Sequence, residues 1–199
     1  MTTKESIIFE SLKLFATQGF DAVSTRTIAR AVGASDAVIY KHFKNKQEIL
    51  DCIVKECLVR YKTMRDKVKL NEMNWQMVEE ICLDIFDFQT SDEWITNFRQ
   101  ILIIEQFKNP EMQKLYKDFF INIPLDSLEA MFKTLISYGY VKENNPRIYA
   151  MQLYSPFFMY HTFGAGTDEV RELLKEYIAL FRENAAVDKS ILHTDKKGL

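Results

Sequence analysis

Glycine and proline are scarce, at six and four in 199 residues. That excludes collagen-like, linker-like and mostly disordered chains, and it argues against a turn-rich all-β fold. Cysteine is scarcer still. Cys52, Cys57 and Cys82 are odd in number and form no CxxC pair, which argues against a disulfide framework and for a reducing compartment. Added to His42, His161 and His193, they give no metal-ligand spacing. GxSxG, P-loop and GxGxxG motifs are missing. The acid pairs Glu79-Glu80 and Asp92-Glu93 read as solvated charge, so neither an enzyme nor a cofactor is expected. The start, Met1-Thr2-Thr3-Lys4-Glu5-Ser6, is charged where a secretory leader would turn apolar, and a cytoplasmic location is expected.

Long uncharged runs are also rare. One stretch, Ile148 to Thr167, has 20 residues without Asp, Glu, Lys or Arg, the length of a membrane span. Gln152, Ser155, Pro156, His161, Thr162, Gly164 and Gly166 interrupt it, so it reads as a buried helix and no membrane partner is expected. No alternating run of strand length, internal repeat or low-complexity segment occurs.

What the chain has in quantity is aromatic and thioether side chains. Fifteen Phe, nine Tyr and eight Met predict a large aromatic core. Charge is uneven. Residues 1–70 hold 13 Lys/Arg against 8 Asp/Glu, and residues 71–199 hold 13 against 20. A basic first third on an acidic remainder suggests that one end meets a polyanion.

Helix signals are dense and predict an all-α chain of nine helices. The first, over 3–18, carries Ile8, Leu12 and Phe15 and stops at Gly19, a candidate left-handed cap. Ser24 can cap a short second helix over 25–32, Gly33 breaks it, and Ser35 can cap a third over 36–42. Asn45-Lys46-Gln47-Glu48 reads as a capping box opening a long fourth, striped by Leu50, Ile53, Val54, Cys57, Tyr61 and Met64. Trp75, Val78, Cys82 and Ile85 mark a fifth, and Ile95, Phe98 and Leu102 a sixth. Asn109-Pro110-Glu111 opens a seventh, reaching about Tyr138 with a kink at Pro124. Asn145-Pro146 opens an eighth. Thr167-Asp168-Glu169 opens a ninth, striped by Val170, Leu173, Leu174, Tyr177, Leu180 and Phe181, before a polar tail at 188–199.

The stretch from Phe20 to Lys46 holds two short helices joined by a Gly-containing turn, the pattern of a helix-turn-helix. Ile28, Ala29, Val32, Ile39 and Phe43 are spaced to pack the pair against the first helix. The second helix of such a pair can enter the major groove and present its side chains to base edges.

From Phe15-Ala16 and Gly19-Phe20, through Ser24-Thr25-Arg26, Ile28-Ala29 and Gly33-Ala34-Ser35, to Ile39-Tyr40-Lys41-His42-Phe43, Lys46 and Glu48, the chain resembles the TetR family of bacterial transcriptional regulators. The remaining chain resembles it only in layout. The resemblance implies an N-terminal three-helix DNA-binding domain, residues 1–46, and a C-terminal helical domain for ligand binding and dimerisation, residues 47–187. It implies a homodimeric repressor of a palindromic operator in double-stranded DNA, responsive to a small molecule. Position by position, it implies phosphate contact at Ser24, Thr25 and Arg26, where a helix N-terminus with hydroxyls and a guanidinium suits an anion. It also implies backbone contact at Tyr40 and His42, and a phosphate grip at Lys46. Base reading falls to Asp36, Ala37, Val38 and Lys41, where the sequence departs from the family's commoner Lys-Gly-Thr at the first three. Asp36 can accept from a cytosine amino group or only favour the helix N-terminus; both readings stand.

For the second domain, the expected ligand lining is Phe86, Phe98, Leu102, Tyr116, Phe119, Phe120, Met131, Met151, Tyr154, Phe158 and His161. Such a lining suits an apolar or aromatic effector, although residues of this kind at helical spacing also build plain cores. The eighth and ninth helices are the expected dimer interface, pairing with their symmetry mates as a four-helix bundle. A second reading of the same architecture is an adaptor acting through a protein partner, which an apolar patch away from the dimer seam would favour.

Overall fold

The computed structural model describes residues 2–68 and 73–187. The tail expected at 188–199 lies outside the described residues. Regular structure among the described residues is helical, apart from an isolated antiparallel bridge between Val141 and Ala186. The helices are α1 (Thr3–Gln18), α2 (Thr25–Ala31), α3 (Asp36–His42), α4 (Lys46–Arg65), α5 (Trp75–Ser91), α6 (Glu93–Glu105), α7 (residues 110–137), α8 (Pro146–Thr162) and α9 (Asp168–Ala185). Among the described residues the nine-helix, all-α expectation holds.

Most starts follow from short polar side chains that accept the orphan amides of a first turn. Ser24 Oγ accepts from the Thr27 amide at 3.1 Å, and Asn109, Asn145 and Thr167 cap α7, α8 and α9 in the same way. Thr2 and Glu5 form a reciprocal capping box at α1 that the sequence reading did not single out. Three expected local features differ. Ser35 makes no side-chain cap, because its backbone carbonyl already accepts the Val38 amide at 3.0 Å. The box at α4 is half formed. Asn45 Oδ1 accepts from Glu48 N at 3.0 Å, but the Glu48 carboxylate takes the Lys44 amide at 2.7 Å instead of that of Asn45. Gly19 has φ 84° but ψ 152°, so it leaves α1 in an extended glycine conformation and not in the left-handed helical well.

The disturbance expected at Pro124 takes the form of a π turn. An α-helical stretch, Pro110–Lys117, passes through a π turn at Asp118–Asn122 into a second stretch, Ile123–Ser137. In a regular helix the proline ring would press on the Phe120 carbonyl and offer it no N–H. A widened turn immediately ahead of the ring is a known relief of such conflict. Pro156 lies inside α8, which continues through it. It offers no N–H to the Gln152 carbonyl, and that carbonyl accepts the Tyr177 hydroxyl of α9 instead.

By packing, the chain divides into two units. One holds the chain up to Lys67 together with Asp87–Ile121, and the other holds Val68–Phe86 and the chain from Asn122 on. In the first, Ile7, Leu12 and Phe15 of α1 are buried with Ile28, Ile39, Phe43, Ile49 and Ile53, and with Ile95, Phe98 and Leu102 of α6. In the second, Trp75, Val78, Cys82 and Phe86 of α5 pack with Phe132, Tyr149, Leu153, Phe157 and Phe181. Cys57 and Cys82 are buried apolar fillers. Burial pushes the Cys57 thiol far up and the Cys82 thiol up to about 12, so both stay protonated. The uncharged stretch from Ile148 is α8 and its exit, and no helix among the described residues is long and apolar enough to cross a membrane.

The turn between α2 and α3 needs Gly33. The Ala34 amide reaches back to the Ala29 carbonyl at 2.9 Å and the Gly33 amide to the Arg30 carbonyl at 3.1 Å, which is a Schellman close. It sets Gly33 at φ 65°. A Cβ there would meet nothing within 4 Å, so only backbone strain opposes a side chain. Gly33→Ala is expected to lower stability by about 1–2 kcal/mol, the cost of a left-handed L-residue, read as a lower urea midpoint with an unchanged slope.

Candidate nucleic-acid interface

The packing that buries Ile28, Ala29, Ile39 and Phe43 also decides what the reading head shows to solvent. Ser24, Arg26 and Arg30 stay exposed on α2, and Asp36, Ala37, Tyr40 and Lys41 on α3, followed by Lys44. Thr25, Val38, His42 and Lys46 are half-buried. The α3 positions 36, 37, 40 and 41 follow helical spacing and form one face, and Lys44 lies beyond the end of the helix. Between residues 22 and 46 the chain carries Arg26, Arg30, Lys41, Lys44 and Lys46 against the single acid Asp36. Among the described residues, Arg26, Arg30, Lys41 and Lys44 form no ion pair. An exposed, uncompensated cationic face built on two short helices suits a polyanion.

Individual positions carry more. Thr25 Oγ1 and Tyr40 Oη share a hydrogen bond of 3.2 Å, joining the first residue of α2 to the outer face of α3. The hydroxyl end of Tyr40 is wet, since the residue is 57% exposed. Ser24 serves its own helix as cap. Asp36 is the first residue of α3 and its only first-turn acid, well placed to favour the helix dipole. His42 lies in the last turn of α3, its ring 6.5 Å from that of Phe43.

Lys46 does something the sequence reading did not foresee. Its ammonium donates to the carbonyls of Phe20 at 2.5 Å, Asp21 at 3.1 Å and Val23 at 3.1 Å, and lies 4.4 Å from the centroid of the Phe20 ring. All three ammonium hydrogens are engaged. The first residue of α4 thus pins the α1–α2 turn, and with it the start of α2. On the far side of the same turn the Phe20 amide donates to Glu105 Oε1 of α6 at 2.9 Å.

The residues expected to line a ligand site fall into two groups. In the first unit Phe98, Tyr116, Phe119 and Phe120 pack on one another, with Phe98–Phe119 centroids 5.0 Å apart and Tyr116–Phe120 at 5.6 Å, and Leu102 is buried. In the second unit Tyr154, Phe158 and His161 are in ring contact, and Tyr154 Oη and His161 Nε2 are 2.9 Å apart. Phe86 packs on Phe157 at 6.0 Å, and Met131 is buried in the same core. Met151 lies on the outer face of α8, 48% exposed.

Three polar residues that sequence reasoning missed sit beside the first aromatic group. Arg99, 3% exposed, donates to the Gln89 side chain and stacks 4.6 Å from the Phe120 centroid. Gln89 Nε2 in turn donates to the Tyr61 hydroxyl at 2.7 Å. Burial raises the Tyr61 phenol well above its ordinary range while the Arg99 guanidinium pulls the other way, and the phenol remains neutral. A signal for Arg99 existed: it stands four residues after Ile95 and three before Leu102, on the apolar stripe of α6.

The engagement of Lys46 has a measurable cost of removal. Lys46→Ala is expected to destabilise the DNA-free protein by about 2 kcal/mol, because hydrogen bonds from a charged donor are lost. Chemical denaturation of wild type and variant reads it.

Residues 7–53 match the model of "Bacterial regulatory proteins, tetR family", which spans α1 through the first turns of α4. The tetracycline repressor protein class D of Escherichia coli is 36% identical over 58 residues, which cover 29% of this chain and 27% of that protein. The HTH-type regulator YerO of Bacillus subtilis (strain 168) is 25% identical over 142 residues, 68% of this chain and 47% of that one. The matches thus span less than half the length of these two relatives. Among solved structures, SmeT, the repressor of the Stenotrophomonas maltophilia multidrug efflux pump SmeDEF, overlays with a TM-score of 0.67 at 20% identity, over 95% of this chain and 93% of that one. The SmeT–triclosan complex overlays at 0.72 with 17% identity, covering 95% and 94%. At such identities the overlay speaks for the fold alone. Residues 7–53, which form the helix-turn-helix head, are thus similar to the tetR family of bacterial regulatory proteins.

Proposed function

We propose that this chain is a TetR-family transcriptional regulator and a homodimeric repressor, that it reads a palindromic operator with α2 and α3, and that a small apolar or aromatic molecule modulates it. The observation that carries the DNA reading is the exposed face of Arg26, Arg30, Lys41 and Lys44, which no described acid neutralises. Ser24, Thr25, Arg26, Tyr40 and His42 supply the contacts to the sugar–phosphate backbone, joined by Lys46 if its ammonium exchanges a carbonyl for a phosphate. Asp36, Ala37, Val38 and Lys41 face the bases. Ala37 and Val38 suit thymine methyls, and Lys41 suits guanine. That the related tetracycline repressor and SmeT are named as repressors supports the sign of regulation.

The dimer rests on α8 and α9. α8 carries apolar side chains on two faces, the outer one also holding Gln152 and Ser155. Tyr149, Ala150, Leu153, Tyr154 and Phe157 face the core of the second unit, while Ile148, Met151 and Met159 stay 44–48% exposed along the opposite face. On α9 the expected stripe splits: Leu174 and Phe181 turn inward, and Leu173 and Leu180 remain 48% and 58% exposed. Two adjacent helices with a second apolar face suit a four-helix bundle with a symmetry mate. Met151 fits that face better than a ligand lining.

The effector reading rests on the aromatic groups around Phe98, Phe119 and Phe120 and around Phe86, Met131, Tyr154, Phe158 and His161. The SmeT–triclosan complex supplies an example of an aromatic ligand on this fold. α4 is the lever. Half-sites in the major groove lie about 34–36 Å apart, so a shift of the two heads by a few ångströms costs contacts in both. The effector must favour one spacing over the other.

Selection from a random duplex pool by the full chain is expected to enrich a two-fold symmetric sequence, with affinity falling steeply as salt rises. Tyr40→Phe and Lys46→Ala are expected to weaken all duplexes alike, while Lys41→Ala and Val38→Ala change the preferred bases. Equal binding to every duplex at all salt concentrations refutes the operator reading. Leu173→Glu combined with Leu180→Glu is expected to give a folded monomer in sedimentation; a variant that stays dimeric moves the interface elsewhere.

A further inference from the structure

The carboxylate of Glu105 is 3% exposed and stands at the last residue of α6. Burying a carboxylate is costly unless a hydrogen bond compensates it. Here the described bond goes to a backbone amide 85 residues away, that of Phe20, at 2.9 Å. The approach is close. A Cβ placed on Gly19 would stand 3.0 Å from Glu105 Oε1, so a side chain there would push the carboxylate aside by a few tenths of an ångström. The carbonyl of that same Phe20 accepts the Lys46 ammonium at 2.5 Å, and the carbonyls of Asp21 and Val23 complete the cradle. The next residue, Ser24, caps α2. One path of hydrogen bonds thus runs from the end of α6, through the α1–α2 turn, to the first residue of α4, and the same turn leads along the chain into the Ser24 cap of α2.

We infer that Glu105 is a positioning residue for DNA recognition: it fixes the α1–α2 turn so that Ser24, Thr25 and Arg26 stand in register with Tyr40 and Lys41. The inference rests on the DNA reading proposed above and adds a residue outside the helix-turn-helix to it. The carboxylate touches no base and no phosphate. It acts by removing the freedom of a turn that would otherwise have to be ordered on binding, and its loss shows as weaker association of an otherwise folded protein. It also means that a displacement of the end of α6 reaches the reading head through this turn as well as through α4.

The test uses the full chain with Glu105→Ala and Glu105→Gln, the latter keeping an oxygen that can accept the Phe20 amide. Hydrogen exchange without DNA is the first measurement. Glu105→Ala is expected to speed exchange over residues 20–26 while the rest of α1 and α6 keeps its protection, and Glu105→Gln is expected to restore much of the wild-type pattern. Unchanged exchange in the alanine variant overturns the inference. Fluorescence anisotropy with a labelled duplex enriched by the wild-type protein is the second measurement, made well below the unfolding transition of each variant. Glu105→Ala is expected to bind about tenfold more weakly, within the range that mutations on a coupling path produce, and Glu105→Gln within about threefold of wild type. Alanine-variant affinity within twofold of wild type overturns the inference even if the turn loosens. A wild-type chain that enriches no duplex refutes the DNA reading, and the exchange pattern separates that outcome from failure of the Glu105 link.

Discussion

Three carbonyl oxygens of one turn converge on one ammonium, and the order of the reading head depends on that contact. Phe20, Asp21 and Val23 sit between α1, which ends at Gln18, and α2, which begins at Thr25. Carbonyl dipoles pointing at a common centre repel one another unless a cation fills it, and Lys46 does so with all its donors. Because Lys46 is also the first residue of α4, the same ammonium links three helices. Phe20 adds its ring, edge-on to Phe15 at 5.1 Å and in cation–π range of the lysine. The head is therefore held by polar chemistry in its turn as much as by the apolar seam of Ile28, Ile39 and Phe43.

Most of the fold is legible in sequence because helix ends are local events. An Asn, Ser or Thr finds its amide two or three residues on, as Asn109, Ser24 and Thr167 do, and Gly33 closes α2 with bonds that span at most five residues. Where the reading slips, a competing neighbour is responsible. Ser35's own carbonyl reaches the amide its hydroxyl was expected to take, and Glu48 finds Lys44 nearer than Asn45. Apolar stripes locate the helices but not their inner face when both sides are apolar, which is why Leu173 and Leu180 of α9 stand outside. The functional face of α2 and α3 is legible because its motif is contiguous. Glu105 and Lys46 are not, since their partners lie 85 and 23 to 26 residues away and no periodicity records a hydrogen bond to backbone. Arg99 was visible as a cation on an apolar stripe, but its partners on α4 and α5 were not.

The middle helices show how polar groups enter a largely aromatic interior. Arg99, Gln89 and Tyr61 join three helices by side-chain hydrogen bonds within a cluster of phenyl rings. A guanidinium stacked on Phe120 is less costly to bury than an ammonium, being more weakly hydrated and planar. The cluster borders the π turn at Asp118–Asn122, where the backbone of α7 already departs from regular bonding. Buried polar contacts of this kind have few alternative arrangements, so they set helix rotation more sharply than the smooth packing of Phe98 on Phe119 can.

Pro156 and Tyr177 illustrate the same economy on a smaller scale. The proline withholds one amide from the ladder of α8, and a phenol from α9 takes its place at the Gln152 carbonyl. The two positions therefore form a unit of inheritance. In descendants of this chain, an ordinary residue arriving at 156 would reclaim the carbonyl and release 177 from its need for a hydroxyl, so the pair should drift together and not one at a time.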